Sequence, residues 1–182
     1  NTLEVAEKCN VEIEFGKLHY PVFHPPEHFT REGFLRQWLA EGLHRRYGIH
    51  ARAEGKQFIV EGIDDPKRLP TFSPSDQHSV SSIQSSGADG LAAEVALNTE
   101  HRIRNTTLTS PAVAAAIKVV IDRLNVEMEV IEKTGFISYF LIVGDFIRYG
   151  RSKGISCVAR GSAAGSLVTY LLEIANVDPI RY

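Results

Sequence analysis

Ile155-Ser156-Cys157-Val158-Ala159-Arg160-Gly161-Ser162-Ala163-Ala164-Gly165-Ser166 is the stretch that decides how this chain is read. Residues 155–159 predict a short strand, residues 160–166 a tight turn of small residues, and the apolar run after them a helix through about Ile174. Strand, small-residue turn and helix start, in that order, make an anion pocket from backbone alone. The first N–H groups of a helix have no intrahelical partner, and the macrodipole adds partial positive charge there. Ser162 reads as the helix N-cap, followed by residues small enough for a phosphate to reach the backbone. Arg160 stands at the mouth with a planar fork suited to phosphate oxygens. The same residues also serve ordinary helix capping, and they match neither GxxxxGK[ST] nor GxGxxG. On the residues alone both readings stand.

Just upstream, the spacing predicts a helix from about Ser138 to Lys153, ended by Gly154. Ile142, Val143, Phe146 and Tyr149 face one way, and Gly144, Asp145, Arg148 and Arg151 face the other. Arg148, Arg151 and Lys153 form a basic edge. It either contacts nucleotide or DNA phosphates or complements the negative end of the helix. A longer amphipathic helix runs from the Ser110-Pro111 cap to Gly135, with Val113, Ile117, Val120, Ile121, Leu124, Met128 and Ile131 as its stripe. Glu129 and Lys133 add an i,i+4 pair. A third helix starts at Thr30 and stops at Gly48, burying Leu35, Trp38, Leu39, Leu43 and Tyr47. Phe58-Ile59-Val60 suggests a short strand.

The remaining segments are weaker. Residues 1–9 read as a helix with Thr2 as N-cap, and residues 11–15 as a half-exposed strand with Glu12 and Glu14 on its polar side. Pro21, Pro25 and Pro26 mark an extended connector carrying His19, His24 and His28, which lack carboxylates at ligand spacing and read as surface histidines. Residues 71–90 are Ser-rich and too poor in apolar side chains to offset their ordering entropy, which predicts a flexible surface insertion.

Composition bounds the function. With 182 residues, 43% hydrophobic and 23% charged, the chain is of globular type, α+β and mostly helical. The 20 Lys+Arg against 22 Asp+Glu, net −2, exclude a generally basic nucleic-acid coat, so any such contact needs a local patch. Cys9 and Cys157 show no metal or redox spacing, which fits a reduced, cytoplasmic chain with no membrane segment. The chain opens without Met and stops soon after Asp178-Pro179, as an excerpt of a larger protein would.

Two separated stretches carry a resemblance. Gly135-Phe136-Ile137-Ser138-Tyr139-Phe140-Leu141-Ile142-Val143-Gly144-Asp145-Phe146-Ile147, followed by Gly161-Ser162-Ala163-Ala164-Gly165-Ser166-Leu167-Val168, resembles the start of the palm in the bacterial replicative DNA polymerase III alpha (C-family) polymerases. Residues 1–19 are similar to the junction where that family's N-terminal PHP domain gives way to the polymerase core. The resemblance covers about residues 1–48 and 111–182, leaving the middle outside it as a lineage-specific embellishment. It implies three parts: the C-terminal end of a PHP domain in 1–20, a helical connector with its insertion in 21–134, and the N-terminal part of a polymerase-beta-like nucleotidyltransferase palm in 135–182.

The resemblance also implies site residues and partners. By it, Gly161 and Ser162, with Arg160 beside them, hold the triphosphate of an incoming deoxynucleotide. In the family the full protein copies primer-template DNA with dNTPs and Mg²⁺, some members add 3′–5′ exonuclease activity, and replicative subunits such as a sliding clamp are partners through regions elsewhere. The family's metal-binding Asp-x-Asp pair lies beyond the position of Tyr182, so no catalytic residue and no metal ligand is assigned in this chain, and the chain alone is expected to be inactive. Where the family commonly has Pro-Gly before Arg-Gly-Ser, this chain has Val158-Ala159. Two alternatives remain: a non-catalytic helical interaction module whose Gly/Ser turn is only a cap, and a small nucleotidyltransferase, for which residues 163–182 supply only Glu173 and Asp178 as carboxylates. Without further palm strands for cover, the excerpt alone is expected to be marginally stable.

Overall fold

The computed structural model describes residues 1–10, 15–16, 20–71 and 110–182. The strand expected over 11–15 and the flexible insertion expected at 71–90 fall almost wholly outside those residues. Five helices and a two-stranded antiparallel sheet are described, an α+β arrangement dominated by helix. Helix α1 (Thr2–Lys8) buries no residue, and its N-cap is Asn1 rather than Thr2.

Helix α2 (Arg31–Tyr47) is set by its ends. Thr30 Oγ1 accepts from Gly33 N at 3.0 Å, and Gly48, at φ +70°, closes the C-terminus in the left-handed region that glycine tolerates. Its stripe Leu35, Trp38, Leu39, Leu43 and Tyr47 is buried as the spacing predicts. Each such large apolar side chain contributes about 1.5–3 kcal/mol by leaving water. Gly48 leads directly into β1 (Ile49–Glu54), which pairs with β2 (Gln57–Ile63). The two-residue turn has positive φ only at Gly55, the II′ pattern, and Glu61 is the extra residue of a bulge. Of this hairpin the apolar run at 58–60 is legible in sequence. The β1 strand Ile-His-Ala-Arg-Ala-Glu is not, because only Ile49 in it is buried.

Helix α3 (Pro111–Thr134) runs from the Ser110-Pro111 cap to Gly135, at φ +76°, and buries Ile117, Val120, Ile121, Leu124, Met128 and Ile131. One ion pair fastens it to α2. Arg36, 4% exposed, donates to Glu132 of α3 and, at 2.8 Å, to the carbonyl of Lys56 in the hairpin turn, with its guanidinium over the Phe58 ring. Helix α4 (Ile137–Ser152) follows after a two-residue joint, Gly135-Phe136.

Its orientation differs from the expected one. Phe146 and Tyr149 are 69% and 65% exposed, while Leu141, Gly144 and Gly150 are buried. Packing distance decides this. A methyl on Gly144 would stand 3.2 Å from Trp38 Cζ3, so the two helices meet at a glycine. One turn on, the Arg148 guanidinium lies 3.9 Å from the Trp38 ring centroid and pairs with Glu41 at 3.0 Å.

The segment 155–160 has no regular secondary structure and forms no strand, contrary to the expected strand at 155–159. A strand needs a partner ladder, and here two isolated backbone bonds hold the segment, Ile155 N to Gly150 O at 2.9 Å and Ala159 N to Ile174 O at 2.7 Å. The expected single helix is also divided, into a 3₁₀ turn Gly161–Gly165 and helix α5 (Leu167–Leu171). Helix α5 approaches α2 so closely that a Cβ on Gly42 would stand 2.4 Å from Leu171 O.

Beyond α5, Glu173 holds a left-handed backbone (φ +62°), unusual for a residue with a Cβ. Arg45 pairs with its carboxylate, and Arg151 donates to its carbonyl at 2.8 Å and its carboxylate at 3.3 Å. The Tyr47 hydroxyl donates to buried Asp178 at 2.7 Å. Burial, with that carboxylate against it, pushes the Tyr47 phenol far above its ordinary value. One apolar core joins α2, the hairpin, α3, α4 and α5.

Candidate nucleotide-phosphate site

The turn after residue 160 has a back that is fastened and a front that is open. At its start Gly161 has φ +87°, and a Cβ there would meet nothing within 4 Å. Glycine is therefore required by the backbone conformation and not by space. Arg160, Gly161 and Ser162 are exposed, and no described residue bonds the Arg160 guanidinium or the Ser162 hydroxyl. The N–H groups of Gly161 and Ser162, which begin the 3₁₀ turn and precede its first i→i−3 bond, likewise meet no acceptor among the described residues. Two N–H groups, a hydroxyl and a guanidinium are thus left unbonded on three adjacent exposed residues.

Ser162 is not a cap. Ser166 is: it opens α5 and its Oγ accepts from Thr169 N at 3.3 Å. Thr169 Oγ1 in turn donates to Ser166 O at 2.8 Å and to Ala163 O at 2.5 Å, tying the turn to the helix after it. The donors at the α5 N-terminus are already taken. Glu127 of α3 accepts from Leu167 N at 3.0 Å, Val168 N at 3.1 Å and Ser166 Oγ at 2.7 Å. Arg123, one turn earlier on α3, donates to Glu127 at 2.6 Å and to Gly165 O at 3.0 Å. The anion pocket expected at the helix start is filled by the protein's own carboxylate, and the donors left for another anion are those of residues 160–162. Glu127 and Arg123 escaped the sequence reading because an i,i+4 Arg–Glu pair is the ordinary dress of a solvated helix face.

The basic edge expected from Arg148, Arg151 and Lys153 does not form as a unit. Arg148 is stacked on Trp38 and paired with Glu41, and Arg151 is bonded to Glu173 and to Asn176 at 3.3 Å. Both guanidinia are packing groups between elements. Lys153 is exposed, its Nζ 5.5 Å from the Tyr149 ring centroid.

Carboxylates near the turn are likewise engaged: Glu127 by α5 and Arg123, Glu173 by Arg45 and Arg151, and Asp178 by Tyr47 and the N–H of Ile180. Elsewhere, His44, His50 and Asp64 each offer an atom within 4.8 Å of the others, spacing that can hold a metal ion. Here one Asp64 oxygen faces His50 Nε2 at 2.5 Å and the other faces His44 Nε2 at 3.0 Å, and the His50 bond lowers the Asp64 pKa. This cluster borders an open groove of about 970 Å³ along α2 and the hairpin, which includes none of Arg160, Gly161 and Ser162. His24 lies in the connector and His28 packs beside Phe29, while His19 falls outside the described residues.

Comparison with known proteins bears on what this turn is. The family described as bacterial DNA polymerase III alpha NTPase domain matches residues 91–182, a span that includes α3, α4, the turn and α5. The chain belongs to the bacterial DNA polymerase III alpha family. Over its whole length it is 31% identical to the DNA polymerase III subunit alpha of Pseudomonas aeruginosa and 36% identical to that of Thermus aquaticus. A shorter stretch, 34% of the chain and 5% of the relative, is 52% identical to an error-prone DNA polymerase of Cutibacterium acnes. The chain spans 11% and 14% of the two alpha subunits. These similarities run through residues 49–110 as well, so the middle of the chain has counterparts in its relatives and is not an embellishment outside the resemblance.

Proposed function

We propose that this chain supplies the triphosphate-holding part of a replicative DNA polymerase active site, with Arg160, Gly161 and Ser162 contacting the phosphates of the incoming deoxynucleotide. The observation that carries this is the turn itself: unbonded donors on the exposed residues 160–162, on a loop fixed from behind, in a chain of the DNA polymerase III alpha family. Free N–H groups, a hydroxyl and a guanidinium grip phosphate oxygens without competing for metal ions. Residues 135–182 form the first part of a nucleotidyltransferase palm, 21–134 the connector and 1–20 the end of a PHP domain. In the full protein, primer-template DNA and dNTPs are substrates. The Mg²⁺ ions are held by carboxylates outside this chain, and partners such as a sliding clamp dock through other regions in the cytoplasm. Of the basic edge, Lys153 is the member with its charge turned to solvent and able to meet DNA phosphate.

The test is Ser162→Ala in the full-length polymerase. Loss of one hydrogen bond to a charged phosphate raises the KM for dNTP about tenfold. Steady-state incorporation kinetics equal to the parent protein would overturn the assignment.

A further inference from the structure

The donors at the start of α5 point to the anion that binds there, and that anion is a side chain from another helix. Both Glu127 oxygens are used twice: Oε1 accepts from Leu167 N and Arg123 Nε, and Oε2 accepts from Val168 N and Ser166 Oγ. The carboxylate is 15% exposed, and its charge sits where the α5 dipole favours a negative group. Arg123 completes the grip by holding the carbonyl of Gly165, the last residue of the 3₁₀ turn. Residues 165–168 are thus bonded on both their donor and acceptor sides to one face of a 24-residue helix whose own core residue Leu124 is fully buried.

We propose that Glu127, assisted by Arg123, is the positioning residue of the phosphate-holding turn. It fixes the back of the turn to the α3 helix, so that the N–H groups of Gly161 and Ser162 and the Arg160 guanidinium keep a constant aim. Preorganised donors are worth more than mobile ones because they need no reorganisation when charge arrives. This inference rests on the reading of residues 160–162 as the triphosphate contact.

The test uses the full-length polymerase and the variant Glu127→Gln, which keeps the side chain's size but turns an amide NH₂ toward groups that are themselves donors. The KM for dNTP rises about five- to tenfold at a fixed concentration of active sites, while the Kd for primer-template DNA stays within about twofold. Ser162→Ala adds less in the Glu127→Gln background than alone, because the two act on one turn. A purely structural role would lower the active fraction and leave the dNTP KM of the surviving enzyme unchanged, which overturns the inference. If Ser162→Ala raises the dNTP KM and Glu127→Gln does not, positioning by Glu127 fails and the triphosphate assignment survives. If neither variant changes it, the assignment itself fails. Arg123→Gln gives a second measurement should Glu127→Gln fold poorly: it frees Gly165 O, keeps the Glu127 bonds to α5, and raises the dNTP KM about threefold.

Discussion

Helices α3 and α4 follow one another with a short joint between them, and both look amphipathic in sequence, yet they obey different rules. Helix α3 buries the stripe that its 3.6-residue period marks. Helix α4 leaves Phe146 and Tyr149 in solvent and buries Gly144 and Gly150 instead. The difference lies in what each helix meets. Helix α3 lies against a broad apolar surface and gains by transfer of large side chains from water. Helix α4 meets the flat indole of Trp38 at close range, where a glycine and a stacked guanidinium fit and a large side chain does not. Hydrophobic periodicity ranks faces by transfer energy, but it does not register how closely two backbones must approach.

That contrast can be broken by mutation. Leu124→Ala in α3 empties a fully buried position and should lower stability by about 2–5 kcal/mol in urea unfolding of the chain. Gly144→Leu in α4 forces carbon atoms into Trp38 and should lower it by about 1–3 kcal/mol, although it adds an apolar side chain to an apolar helix. A stabilising result would mean that the Trp38 contact yields freely. Phe146→Ser, drastic by composition, should change stability by less than about 0.5 kcal/mol, since the ring is already in water. A loss as large as that of Leu124→Ala would restore the face expected from periodicity.

Much of the scaffold was legible because its signals are local. Thr30, Gly48, Ser110, Pro111 and Gly135 mark helix ends through backbone chemistry that any surroundings leave in force. The hairpin was half legible: the apolar run of β2 shows, whereas β1 alternates polar and small residues and owes its state to pairing. Around the site, the Arg160-Gly161-Ser162 turn announced itself through its small residues. The strand before it and the unbroken helix after it did not materialise, because the first lacks a ladder partner among the described residues and the second is cut where Ser166 and Glu127 recapture the chain.

Sequence by itself determined the helix ends, the α2 and α3 core stripes and the family resemblance. Each depends on residue type and short spacing. Tertiary structure alone decided that Arg148 and Arg151 are packing groups, that Ser166 rather than Ser162 caps α5, and that Glu127 occupies the helix start read as a phosphate pocket. These rest on contacts between residues as much as 110 positions apart, as Arg148 and Trp38 are. A carboxylate on a helix face reads the same in one dimension whether water or a backbone N–H waits in front of it.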